Sequence, residues 1–147
     1  MSIWYPHVTV ATVVEENGKF LLVEEQTSRG LVYNQPAGHL DPGEDLVQAA
    51  VRETLEETAW NVNVTGLLGM ALYTAPSNGV TYHRTTFIAE PVRHEPERAL
   101  DSGIERALWL SYEEIAAAEE HLRSPLVLAA VEQYRNGHRY PLTMIYS

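Results

Sequence analysis

At 147 residues, with 45% hydrophobic and 20% charged side chains, the chain has the size and usage of one globular domain with its own core, which excludes disordered and fibrous classes. A net charge of −10 repels nucleic acid and anionic membranes at long range, so neither is an expected partner, and a polyanionic ligand must be offset locally by metal ions or arginines. The absence of cysteine removes disulfides, thiolate zinc sites and cysteine nucleophiles.

The opening MSIWYPHVTV lacks the basic start and long apolar run of a signal peptide. No stretch approaches the roughly eighteen apolar residues of a membrane span, so a cytoplasmic protein is expected. Runs rich in Val, Thr, Leu and Phe flank Glu16-Asn17-Gly18-Lys19, which predicts paired strands at His7–Val14 and Lys19–Glu25 across an Asn-Gly turn. Leu31–Asn34 is a third short strand, after which Gln35-Pro36-Ala37-Gly38 is expected to leave the sheet because proline has no ladder donor.

From Leu46 to Thr58 no Gly or Pro interrupts, and Val47, Val51, Thr54, Leu55 and Thr58 share a helical face, which predicts a helix. Strands follow at Asn61–Tyr73 with a break near Gly66, at Val80–Glu90 and at Arg106–Leu110, separated by the turn Pro76–Gly79 and a charged loop over 91–103. Ser111-x-x-Glu114 caps a helix to about Ala118, and Ser124-Pro125 opens another over Leu126–Asn136, closed by Gly137. These elements compose a single α/β domain over residues 1–147, an α/β/α sandwich on a mixed sheet.

The segment GHLDPGEDLVQAAVRETLEETAW, residues 38–60, carries the chemistry. At about 100° per residue, Glu53, Glu56 and Glu57 fall within roughly a 100° arc, opposite Val47, Val51 and Leu55. Such a face is self-repelling, and acids in the last turn oppose the helix dipole, so a cation is expected to compensate. Taken alone, three glutamates are better described as a solvated acidic face. The arrangement G-x5-E-x7-R-E-x2-E-E, at Gly38, Glu44, Arg52, Glu53, Glu56 and Glu57, reverses that balance, since a chance match is on the order of 10⁻⁵ per chain.

This pattern resembles the box of the Nudix hydrolase family, including MutT-like enzymes, G-x5-E-x7-R-E-U-x-E-E-x-G-U with U bulky and apolar. Thr54 stands at the first U, and Ala59 replaces the last glycine, where a left-handed residue costs alanine about 1 kcal/mol. PHVTVA at 6–11, NQPAGHL at 34–40, LRSPLV at 122–127 and RYPL at 139–142 are similar to a phosphatase subfamily.

The resemblance implies Mg²⁺, with Mn²⁺ as a substitute, bound by Glu53, Glu56, Glu57 and the Gly38 carbonyl, while Arg52 holds a glutamate in position together with Glu44. The implied reaction is attack of a metal-activated water on a substituted phosphorus, with Glu57, Glu53 and Arg52 as catalytic residues. The base is left open between Glu57 and a later acid, Glu105 or, less favoured, Asp101.

His39, His83, Arg84 and Arg123 are substrate-binding candidates. Each has a plainer reading, as a solvated loop histidine, strand residues or a residue beside the Ser124 cap. Tyr33, Tyr73 and Tyr82 could stack on a base, but core packing is favoured for each. The expected activity is Mg²⁺-dependent release of orthophosphate from nucleoside tri- and diphosphates and from the pyrimidine pyrophosphate precursor of thiamine, by a monomer or homodimer. The alternatives are an ADP-ribose or other nucleotide-sugar pyrophosphatase, and a non-catalytic nucleotide-binding regulator, which should lack the box carboxylates.

Overall fold

The computed structural model describes residues 2–147. Asn17 and Gly18 both take positive φ, 53° and 80°, the left-handed pair that a two-residue hairpin turn requires. They join β1 (His7–Glu16) to β2 (Lys19–Thr27) with Glu16 opposite Lys19. β3 (Gly30–Asn34), β4 (Ala37–His39), α1 (Leu46–Thr58), β5 (Trp60–Thr74), β6 (Thr81–His94), β7 (Ile104–Ser111), α2 (Tyr112–Ala117) and α3 (Pro125–Arg135) follow, with short 3₁₀ turns at Glu119–His121 and Leu142–Met144.

The sheet is mixed and mostly antiparallel. β1 runs parallel to β6, from His7 opposite Tyr82 to Val14 opposite Ala89, and antiparallel to β4 and β2. β5 lies outside β6, while β3 and β7 flank β2 on opposite edges. Alternation along the strands feeds two apolar layers. Val10, Val14, Leu21, Phe87 and Ala89 pack with Ala49 and Ala50 of α1, whereas Val13, Leu22 and Ile88 pack with Ile115 of α2 and Val127 and Val131 of α3. This is the α/β/α sandwich that the element pattern predicts.

Two expectations are corrected. Only Gln35 and Pro36 leave the sheet, because β4 resumes pairing at once, with Ala37, Gly38 and His39 opposite Ala11, Val10 and Thr9. Pro36 lies outside the strands, and its carbonyl still accepts from the Thr12 N–H at 3.1 Å. The 91–103 segment is not all loop either: β6 continues to His94 and carries Pro91 opposite Val62 beside a bulge. There β6 has outrun β1, whose last pair with it is Val14 to Ala89, and at such an edge a missing donor is tolerated.

α1 has its expected bounds, with Asp45 as N-cap in a capping box with Gln48. Its buried face differs in detail. Ala49, Ala50, Thr54 and Thr58 are the fully buried residues, while Val47 and Val51 are only partly covered. Small residues let the helix lie close to β1, where the Thr54 and Thr12 hydroxyls meet at 2.8 Å. Ser111 and Ser124 cap α2 and α3 as anticipated. Among the described residues, no helix is long and apolar enough to cross a membrane.

Candidate active site

The close approach of α1 to the sheet presses Glu53 against β4. A Cβ built on Gly38 would overlap the Glu53 carboxylate, so the glycine is required by contact rather than by a turn. One helical turn on, Glu57 Oε1 accepts the Ala37 N–H at 2.9 Å. β4 thus receives both carboxylates through its smallest residues.

Arg52 gathers the acids around it. Its Nε and Nη2 grip Glu44 at 3.0 and 2.6 Å, and its Nη1 donates to Glu53 at 2.8 Å and Glu56 at 2.9 Å. Nη2 also donates to the His39 carbonyl at 3.0 Å, so one guanidinium ties α1 to the loop that precedes it. Such a planar fork restricts carboxylate rotation in a way a lysine could not. The hydrogen bonds from Arg52 and the Asp41 N–H hold Glu44 below the ordinary carboxylate range.

Glu53, Glu57 and Asp101 bring carboxylate oxygens within 4.8 Å of one another. Burial raises Glu57 to about 8 against the pull of the Ala37 N–H, and neighbouring Glu53, Glu25 and Asp101 push it the same way. Burial also raises Glu53 despite Arg52, and raises Asp101, which faces Glu56. Converging oxygen donors that repel one another and hold protons suit a hard divalent cation.

Ala37, Gly38 and His39 also form part of the wall of a cavity of about 1190 Å³, which runs on to Glu25, Arg29, Tyr73, Tyr82, Arg84, Arg123 and the start of α3. That volume is ample for a nucleotide-sized ligand. Arg84 is 7% exposed and donates from Nη2 to Asn34 Oδ1 at 3.2 Å and Gln35 Oε1 at 3.4 Å. Its Nε is buried without a partner.

The sequence-predicted residues divide accordingly. Gly38, Arg52, Glu53, Glu56 and Glu57 come together; within that group Glu56 turns to Arg52 and Asp101 completes the carboxylate cluster. Glu105 is exposed on β7 and lies outside that cluster. Asp101 arrives because its own N–H donates to the Glu56 carbonyl at 3.0 Å, and the turn Asp101-Ser102-Gly103, with Gly103 at φ 90°, was the signal available for it.

His39 and Arg123 line the cavity with Arg84. His39 meets His7 at 3.0 Å, and Arg123 lies 3.7 Å from Glu25. His83, by strand alternation, faces the α1 side with Phe87. Tyr33 packs on the core as expected, but Tyr73 and Tyr82 are opposite one another across β5 and β6 and border the cavity.

A mixed-sheet sandwich whose acidic helix packs on a strand bordering a nucleotide-sized cavity defines a class, and comparison with known proteins agrees. The NUDIX domain family model matches residues 5–131. The chain is 44% identical over 140 residues to Phosphatase NudJ of Escherichia coli (strain K12), covering 95% of this chain and 90% of that protein. It superposes on a NUDIX hydrolase from Nitrosomonas europaea with a TM-score of 0.95 at 46% identity, covering 97% of each chain.

An ADP-ribose pyrophosphatase from Streptococcus suis shares the fold alone, with a TM-score of 0.68 at 16% identity over 92% of this chain and 96% of that one. The chain belongs to the Nudix hydrolase family and is an enzyme of that class.

Proposed function

We propose that this hydrolase is a Mg²⁺-dependent phosphatase of nucleoside tri- and diphosphates, and of the hydroxymethylpyrimidine pyrophosphate from which thiamine is built, releasing orthophosphate. The observation that carries this reading is the Glu53–Glu57–Asp101 cluster abutting a nucleotide-sized cavity through Ala37 and Gly38. The 44% identity to a protein named a phosphatase favours orthophosphate as the product.

Glu53, Glu57 and Asp101 would hold the cation, with Gly38 beside them and Glu56 at the border. When bound, Mg²⁺ neutralises phosphate oxygens and lowers the pKa of a water. Arg52 fixes Glu53 and Glu56 before substrate arrives, so little reorganisation is needed at the reaction. Glu57 keeps Oε1 on the Ala37 N–H, leaving Oε2 of the ionised carboxylate to take the proton of the attacking water. In this reading the enzyme works in the cytoplasm on small phosphorylated molecules, and Mn²⁺ replaces Mg²⁺.

The test is orthophosphate and pyrophosphate release from nucleoside diphosphates, triphosphates, nucleotide sugars and the pyrimidine pyrophosphate, with Mg²⁺ or EDTA. EDTA-sensitive orthophosphate release, lost by about 10²-fold or more in Glu57→Gln, is expected. Cleavage of nucleotide sugars alone would move the assignment to a nucleotide-sugar pyrophosphatase, and no turnover of any substrate would leave a binding module.

A further inference from the structure

Arg84 is the least explained charge in the molecule. It is 7% exposed, and no carboxylate pairs with it among the described residues. A buried cation without a counter-ion is costly, and proteins ordinarily neutralise or expose it. Both of its side-chain hydrogen bonds leave from Nη2 and go to neutral amides. Gln35, itself 1% exposed, is held by its own donation to the Val127 carbonyl at 2.8 Å.

The guanidinium is therefore aimed by a rigid frame made of β3, its exit residue and α3. Nε is enclosed and unpartnered, which leaves Nη1 as the donor open to the cavity that Arg84 lines. Glu25 and Glu57 are near enough to favour its charge, yet burial still pulls Arg84 down to about 10. Neither carboxylate comes within ion-pair distance of it.

We infer that Arg84, framed by Asn34 and Gln35, is the seat for a non-reacting phosphoryl group of the substrate, in the cavity whose wall at Ala37 and Gly38 meets Glu57 and Glu53. The inference rests on the phosphohydrolase reading and adds how a protein of net charge −10 retains a polyanion. A planar, weakly hydrated guanidinium suits phosphate better than an ammonium does. Thr9 and Tyr82 line the same cavity, and Tyr82 lies on the same face of β6 two residues from Arg84, about 7 Å along the strand. The seat is therefore within one ligand's reach of an aromatic ring.

The experiment uses the full chain in EDTA with inorganic phosphate as probe, followed by ³¹P line broadening and thermal shift, and then steady-state kinetics with Mg²⁺ and a nucleoside diphosphate. Wild type is expected to bind phosphate and to melt higher in its presence. Arg84→Met, which removes an unpaired buried charge, should melt no lower than wild type, lose the phosphate response at least tenfold, and raise KM at least tenfold with kcat within about threefold. A residue with a purely structural role would instead lower the melting temperature and spare the phosphate response.

Should Arg84→Met not fold, Arg84→Lys decides: weaker phosphate binding supports the seat, and unchanged binding overturns it. Wild type that fails to bind phosphate, or Arg84→Met that binds it equally well, also overturns it. Phosphate bound through Arg84 without turnover of any diphosphate would overturn the phosphohydrolase reading and leave the seat standing.

Discussion

At Gly38 an added methyl would occupy the space of the Glu53 carboxylate, so Gly38→Ala must displace either β4 or the glutamate. The strand is pinned by three pairs to β1, so the carboxylate moves. The expected result is a folded protein whose Mg²⁺ requirement, read from activity against metal concentration, rises about 10–100-fold. Asp101 and Glu105 make a sharper pair. Asp101→Asn should raise the metal requirement by a similar factor, whereas Glu105→Gln on the exposed face of β7 should leave kcat and KM within about twofold.

Equal losses in both variants would mean that the 101–105 segment acts as a unit. The box residues were legible because a helix places i, i+3 and i+4 on one face whatever the surroundings. Asp101 could be read only as the less favoured base, because a loop acid has no period and is brought to the cluster by a backbone hydrogen bond to Glu56. Arg84 could be named as a candidate, but its lack of a counter-ion is a property of packing, invisible before the strands are paired.

Between elements, the position of α1 decides the site. Its bounds could be read from an uninterrupted helical stretch, and its left-handed exit is real: Ala59 sits at φ 62° and ψ 18° where the family motif has glycine. Ala59 is also buried, 3% exposed, so Ala59→Gly relieves about 1 kcal/mol of backbone strain and loses a buried methyl of similar worth. Near-neutral stability is expected, within about 0.5 kcal/mol by urea denaturation. A clear loss would show that the methyl's packing outweighs the strain.

At the other end, Asp45 Oδ1 accepts the Gln48 N–H at 2.8 Å while Gln48 Oε1 accepts the Asp45 N–H at 2.9 Å. Asp45→Ala is therefore expected to cost about 1 kcal/mol and to loosen Arg52's loop contacts, seen as faster amide exchange over 39–46. The face of α1 was less legible. Val47 and Val51 suggested the buried side, but the contact with Thr12 selected the small residues, because a helix that delivers carboxylates to a strand must lie close to it. β4 escaped notice for the converse reason: a three-residue strand beside a proline has no pattern of its own, and only β1 reveals it.

For the whole molecule, a cation held as proposed would make stability and metal binding parts of one equilibrium. Glu57 has an ordinary pKa of 4.5 when unfolded and about 8 in the fold. Between those values the folded state keeps a proton that the unfolded state has lost, so the metal-free protein is most stable at the acid end. It loses stability as pH climbs, at roughly 1.4 kcal/mol per pH unit and a few kcal/mol in all.

Glu53 and Asp101 are raised too and reinforce that direction. Glu44, lowered by Arg52, opposes it, since its contribution is present above its unfolded pKa and is lost toward acid. A divalent cation competes with the Glu57 proton, so Mg²⁺ affinity should increase with pH up to about 8 and then level off. Urea midpoints in EDTA should therefore fall from about pH 5 to pH 8 and flatten in saturating Mg²⁺.

The net charge of −10 makes a general contribution of the same sign through self-repulsion, and Glu57→Gln separates the two. If the buried proton governs the slope, that variant loses most of it in EDTA while keeping wild-type stability at acid pH. If self-repulsion governs, the slope survives the substitution, and Glu57 is not the group that links folding to metal.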